Sequence, residues 1–333
     1  MLFHIPFVIL TALLATPLLV SDRGDVYFQT DTHYVSGGND VMGWDLWVYR
    51  DGWDYALFGG ACPPLFKYVP FAAQAHFLVP APNRVLFHQN RTVSVWDGVC
   101  HYYNEPGNGY DDIFADDTEL SDIAPSRAGR YLIAERWNDR ARGAGLIEFD
   151  LHGRVAEYRL PEVIVNNRAL GAMHIELLAD HCTVLYTLGN DDPGGNHVRR
   201  FNICTNEAQS DFASLVAGEY AGAIRQLPNG DVLVANGRAI LRFTSAGSLW
   251  GSYQFPGVTH LALSSDGRTL WAGAVYLDKA ELREFDLGGS SRSIPLGNPR
   301  MTSLPVPFRV SALVVVDEWR AGVERRIRAV RRR

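Results

Sequence analysis

Between Asp180 and Gly273 the chain repeats one unit of structure. The run HCTVLYTL…HVRRFNICTN is followed by NGDVLVANGRAILRFTSAGSLW, then by DGRTLWAG…ELREFDLGG. Each copy reads as a turn, a strand, a short loop, a second strand ending near a Phe, and a third strand. A period of roughly 37–50 residues built only of short strands is the pattern of a β-propeller blade. The expectation is therefore an all-β chain folded as a single propeller.

Strand periodicity and turn residues place six blades, over 25–60, 75–105, 121–161, 172–216, 223–255 and 259–296. Seven is the alternative if 59–75 hides a further strand. In the first blade the strands are expected at 25–31, 45–51 and 54–60, which leaves it without an innermost strand. The unassigned strand RVSALVVVD (309–317) can supply it. Such a staple would close the ring and remove the exposed edges through which sheets associate. An apolar content of 47% argues for a packed globular body and against disorder.

Charge is unevenly distributed. The net charge is −6, and residues 320–333 carry seven Arg and one Glu, which leaves the body at −12. An acidic body is a poor partner for nucleic acid, because phosphate contacts need a basic surface. The tail 319–333 could meet anionic lipid, fold back on the acidic body or stay unstructured.

Residues 1–21 contain no Asp, Glu, Lys or Arg. The apolar run at 3–20, followed by SDRGD, reads as a secretory signal cleaved near Ser21. It is also just long enough to span a bilayer, so an uncleaved anchor is the alternative, and membrane contact is expected only through this segment. Either reading puts the body, 22–318, outside the cytoplasm, secreted or periplasmic.

Four cysteines suit that compartment. Antiparallel pairing about the turn GNDDPGGN (189–196) sets Cys182 opposite Cys204, so a disulfide is expected there. Cys62 and Cys100 form the remaining pair, and four buried thiols are the alternative.

The runs CTVLYT…RRFNICTN, RQLPNGDVLVANGRAILRFTSAG and LALSSDGRTLWAG resemble secreted bacterial propellers of the NHL/YVTN-repeat type. The likeness is clearest over 170–290. It implies the fold and little else, because propellers of this kind include lactonase-like hydrolases, peptide-amidating lyases, lyases of cyclic peptides and proteins without known activity.

Aligning the blades on their first turns yields one constellation. Asp266-Gly267-Arg268 matches Pro82-Asn83-Arg84, Ala128-Gly129-Arg130, Asp180-His181-Cys182 and Asn229-Gly230-Asp231. Six residues before each turn stand His260, His76, Asp122, His174 and Ala223, and Ser311 takes the same place before Asp317. Equivalent positions on innermost strands lie at one height around the axis. His76, His174, His260 and Asp122 could thus converge on one divalent metal, with Asp122 as fourth ligand or general base. The amidating lyases, with a three-His zinc site, resemble this ring in outline. Glu176 and Arg225 are further polar channel residues with a possible catalytic part. The alternative is a set of hydrogen-bonded core side chains, since strand residues alternate in direction.

Other features carry weaker chemistry. The acidic stretch YDDIFADDTELSD (110–122) could hold calcium but lacks the spacing of an EF-hand, so a solvated acidic loop is the plainer reading. Tyr34, Trp44 and Trp53 are placed on a loop face, where they could stack on a sugar or peptide; core packing is the alternative. Trp-Asp pairs at 44–45, 53–54 and 96–97 resemble WD40 repeats only superficially. No P-loop, GxSxG, HExxH or CxxC occurs.

Two functions follow as expectations. The first is a secreted, monomeric, non-catalytic propeller that binds a small molecule, peptide, glycan or protein through one loop face. The second is a metal-dependent hydrolase or lyase, lactonase-like or amidating-lyase-like, with zinc or calcium in the central channel.

Overall fold

The computed structural model describes most of residues 119–296, with side chains in stretches between 121 and 287. Outside that region it describes the backbone of strands between Asp25 and Tyr102 and between Arg309 and Val316. The segments 1–21 and 319–333 lie outside the described residues. No helix occurs among the described residues, and none is long and apolar enough to cross a membrane.

All strand pairs are antiparallel, and they assemble into six sheets. In the first sheet the order is Arg309–Val316, Asp25–Ser36, Asn39–Arg50 and Trp53–Phe58. The C-terminal strand therefore pairs with the first strand of the chain, from Asp25↔Val316 to Asp31↔Arg309. The second to sixth sheets begin with the strands His76–Ala81, Glu119–Pro125, His174–Leu177, Ile224–Gln226 and Val258–Leu263. Each of these opening strands contacts that of the next sheet, and Val258–Leu263 in turn contacts Arg309–Val316. This is the layout of a propeller, with the opening strands innermost.

Burial explains the arrangement. In the fourth sheet Ile175, Val184 and Tyr186 pack with Ala124, Leu132 and Leu146 of the third. Leu185, one residue out of phase, packs with Ile224, Val232 and Val234 of the fifth. Both faces of the sheet are thus covered, so Thr183–Thr187 is buried along its whole length. Each such side chain withdrawn from water contributes about 1.5–3 kcal/mol. Outer strands have no such cover: Glu207–Ser214 and Leu249–Gln254 are mostly exposed.

The first turns of the sheets share one geometry. Gly129, His181, Gly230 and Gly267 occupy the middle of these turns with φ of 73°, 56°, 88° and 67°. A left-handed backbone is natural for glycine and costs His181 about 1–2 kcal/mol. Asp180 compensates: its Oδ1 accepts from Cys182 N at 2.9 Å and Thr183 N at 2.8 Å, and its Oδ2 from Thr183 Oγ1 at 2.6 Å. Gly267 lies against the ring of Pro228, where a Cβ would collide, so the turns of the fifth and sixth sheets are packed on each other.

Cys182 and Cys204 form a disulfide with Cα atoms 5.2 Å apart. Arg127 of the third sheet's turn donates from Nη2 to Cys204 Sγ at 3.0 Å. Cys62 lies outside the described residues, and of Cys100 only its place at the start of the strand Cys100–Tyr102 is described.

Two features differ from expectation. The first hairpin runs to Ser36 and resumes at Asn39, so its strands are longer than 25–31 and 45–51. Tyr34 pairs with Val41 and Trp44 with Asp31, in strands and not in a loop, and Trp53 opens the strand Trp53–Phe58. The third sheet also carries an additional hairpin, Val163–Val165 with Arg168–Leu170, docked on Trp137 and Asn138.

Candidate functional site

Of the residues six positions before the turns, the innermost strands bring Asp122, His174 and His260 together. His174 opens the first strand of the fourth sheet, opposite Thr187. Asp122 sits within a register shift between Leu120 and Ile123 in the third sheet. His260 follows a similar shift between Val258 and itself in the sixth. Such bulges re-aim a side chain relative to a regular strand.

His174 Nδ1 stands 3.7 Å from Asp122 Oδ2. The ring of His174 meets that of His260 edge to face, centroids 6.1 Å apart. The fourth and sixth sheets are not neighbours, because the fifth stands between them. Their imidazoles can therefore touch only across the space that the innermost strands enclose. The fifth sheet's residue at the equivalent position is Ala223, which is buried in the core between the fifth and sixth sheets. All three polar residues are buried.

Fixed hydrogen bonds hold the group. Asp122 accepts from Ile123 N through Oδ1 and from Ile175 N through Oδ2, both at 2.9 Å. The carboxylate thus clamps the third sheet to the fourth while facing His174. Thr259 Oγ1 and His260 Nδ1 share a hydrogen bond of 2.8 Å. Asp122 consequently belongs to an inner strand and is separate from any solvated acidic loop; 103–118 lie outside the described residues.

Glu176 and Arg225 form a second polar layer on the same strands. Glu176 Oε1 accepts from Gln226 N at 2.9 Å, tying the fourth sheet to the fifth. Arg225 Nη1 lies 3.5 Å from Glu176 Oε2 and donates to Ile224 O at 2.6 Å. Burial pushes the Glu176 carboxyl above the usual carboxylate range; Arg225 and the Gln226 N–H oppose that rise, and the Asp122 charge adds to it.

The metal expectation fares differently. Of His76 only the strand position, opposite His88, is described. Among the described residues no group of three His, Cys, Asp or Glu is disposed to hold a metal ion. Asp122, with both oxygens already accepting backbone N–H groups, suits the role of partner to His174 better than that of a ligand. The described side chains do not by themselves build a metal centre.

Sequence reasoning missed Thr259, which anchors His260. Its signal is only positional: a hydroxyl beside a ring histidine.

Neither a protein-family model nor a curated protein sequence matches the chain. Solved structures do share its fold. A catalytically inactive virginiamycin B lyase from Staphylococcus aureus, solved with quinupristin, is 13% identical with a TM-score of 0.52, over 88% of this chain and 94% of that one. A gluconolactonase from Xanthomonas campestris is 14% identical with a TM-score of 0.52, over 74% and 82%. A protein of unknown function from Bacteroides caccae is 13% identical with a TM-score of 0.55, over 89% and 100%. At these identities the likeness establishes the β-propeller fold and no activity.

Proposed function

We propose that this protein is an enzyme that works by acid–base chemistry in the central channel, as a lyase or hydrolase. The observation that carries the reading is the buried Asp122–His174–His260 group, assembled from three different sheets across the axis. Burying two imidazoles and a carboxylate together is costly unless each is held by partners, and catalytic sites are where proteins accept that cost. The reading is therefore preferred to a non-catalytic binding propeller, for which Tyr34, Trp44 and Trp53 would have formed the contact face.

Roles follow from the contacts. Asp122 faces His174 Nδ1 at 3.7 Å and its charge favours the imidazolium, which leaves Nε2 as the nitrogen that takes the proton from a substrate C–H or a water. Thr259 Oγ1 holds His260 through Nδ1, and His260 is assigned the role of proton donor to the leaving group. The base-and-acid pair serves either an elimination or the opening of an ester or lactone. No step here requires a metal; a divalent ion on His76, His174 and His260 would be an addition to this scheme.

The rest of the proposal concerns architecture and location. The six sheets are read as six blades of one ring, closed by Arg309–Val316, of the NHL/YVTN-repeat type. The cyclic contacts of the innermost strands support this count. Residues 1–21 are read as a secretion signal, and the Cys182–Cys204 disulfide suits an oxidising, extracytoplasmic compartment.

The test is a screen of gluconolactone and quinupristin, the compounds that the names of the fold neighbours point to. Turnover abolished by His174→Gln and His260→Gln, in protein that remains folded by circular dichroism, is the expected result. Turnover that survives both changes would refute the assignment.

A further inference from the structure

We infer that the channel recognises a carboxylate group, and that Arg225 is the residue that binds it. This rests on the channel being the reactive site and adds to it the class of substrate.

The position of Arg225 is unusual for its strand. Side chains alternate along Ile224–Gln226. Ile224 packs toward the fourth sheet, while Ala223 and Leu227 pack toward the sixth. By phase Arg225 belongs with Ala223 and Leu227, yet its guanidinium lies 3.5 Å from Glu176 of the fourth sheet. It reaches there by crossing the inner edge of its own strand, and so it lies in the channel. Its side chain remains 25% exposed.

Its hydrogen bonding is incomplete on one side. Both protein contacts, to Ile224 O and to Glu176, are made by Nη1. The Nε–Nη2 edge of the fork has no protein partner among the described residues. That edge is the one that receives a planar carboxylate in two parallel hydrogen bonds. Glu176 cannot saturate it, because its Oε1 is committed to Gln226 N and its Oε2 reaches only Nη1.

Geometry connects this edge to the chemistry. Glu176 and His174 are two residues apart on one strand, which is about 7 Å. A carboxylate held at Arg225 thus leaves a substrate atom a few bonds away within reach of His174. The class implied is a carboxylate-bearing substrate whose labile bond lies a short distance from the acid group.

The probe is benzoate, titrated into the full-length protein at neutral pH by calorimetry and by the Nε–H resonances of arginine, with benzamide as the uncharged control. Saturable benzoate binding is expected, with one Nε–H resonance shifted and no response to benzamide. Arg225→Gln should weaken binding about tenfold or more, the loss of one charge-assisted pair. Arg225→Lys, which keeps the charge and loses the fork, should fall between the two and covers the case in which the Gln variant does not fold. Glu176→Gln should tighten binding, since it removes the competing carboxylate while keeping an acceptor for Gln226 N. Equal affinity in wild type and both Arg225 variants, weaker binding in Glu176→Gln, or no saturable binding at all would each overturn the inference. His174→Gln separates it from the catalytic reading. Benzoate binding retained in a variant that is still active refutes the catalytic assignment alone, and binding independent of Arg225 with activity dependent on His174 refutes the carboxylate site alone.

Discussion

The imidazoles of His174 and His260 meet edge to face, with planes at 83° and centroids 6.1 Å apart, although a whole sheet separates the strands that carry them. Asp122 Oδ2 on the third sheet lies 3.7 Å from His174 Nδ1. Three sheets thereby become mechanically coupled at one height of the channel. Carboxylates add to that coupling at two successive seams, through Asp122 to Ile175 N and through Glu176 to Gln226 N.

Asp122→Asn should reduce stability as well as activity. Both carboxylate oxygens accept backbone N–H groups, and the amide replaces one acceptor with a donor. One buried N–H then faces an NH2 group, at a cost of about 1–3 kcal/mol. The check is the urea midpoint; an unchanged midpoint would mean that the clamp is not formed.

Glu176 should behave in the opposite direction. Burial raises its folded-state pKa, so the native state binds its proton more readily than the unfolded chain does. Between the unfolded and the raised folded value, stability falls as pH rises, and above both the protein carries the full cost of the buried charge. Glu176→Gln is therefore expected to stabilise the protein at neutral pH, with the advantage shrinking as pH drops into the ordinary carboxylate range. Denaturation of both proteins across that range measures it. An advantage that grows in acid would contradict the sign.

Reduction of the Cys182–Cys204 bridge should cost about 3 kcal/mol in the chain-entropy model, given its sequence separation of 22. The double Cys→Ser variant isolates that effect. Its urea midpoint should fall, and reducing agent should lower the wild-type midpoint by at least as much. A wild-type midpoint insensitive to reductant would show that the bridge contributes nothing.

Much of this fold is visible in the sequence because turns leave residue-specific marks. Gly129, Gly230 and Gly267 flag left-handed positions, and the Asp or Asn that precedes or stabilises such turns fixes their phase. Counting six residues back from each turn works because the distance from turn to channel is a strand length common to the blades. The same counting cannot register what happens inside a strand. Bulges beside Asp122 and His260 change which way a side chain points without changing composition. The first hairpin outruns its expected length for a related reason. Thr30, Asp31 and Thr32 look like the end of a strand, but pairing continues across them to Ser36 and Asn39. Nor does any residue pattern reveal that Arg225 leaves the phase of its own strand to reach Glu176, since that depends on a partner supplied by another sheet.

Ala223→Leu tests whether bulk on the intervening fifth sheet disturbs the contact between the two imidazoles. Ala223 is buried and packs within the core between the fifth and sixth sheets, so three extra carbons must enter either that core or the channel. Overpacking costs about 1–3 kcal/mol, which lowers the urea midpoint without abolishing folding. Carbons that enter the channel instead are expected to crowd His174 and His260 and to part the rings. Nuclear Overhauser contacts between the ring protons of the two histidines should be present in wild type and absent in the variant. Turnover should be lost in the variant to the same degree as in His174→Gln. Ala223→Ser, which adds one atom, should keep both the contact and the activity. If the Leu variant retained full turnover with the rings apart, His260 would have no part in the proton transfer, and the base at His174 would act with Asp122 alone.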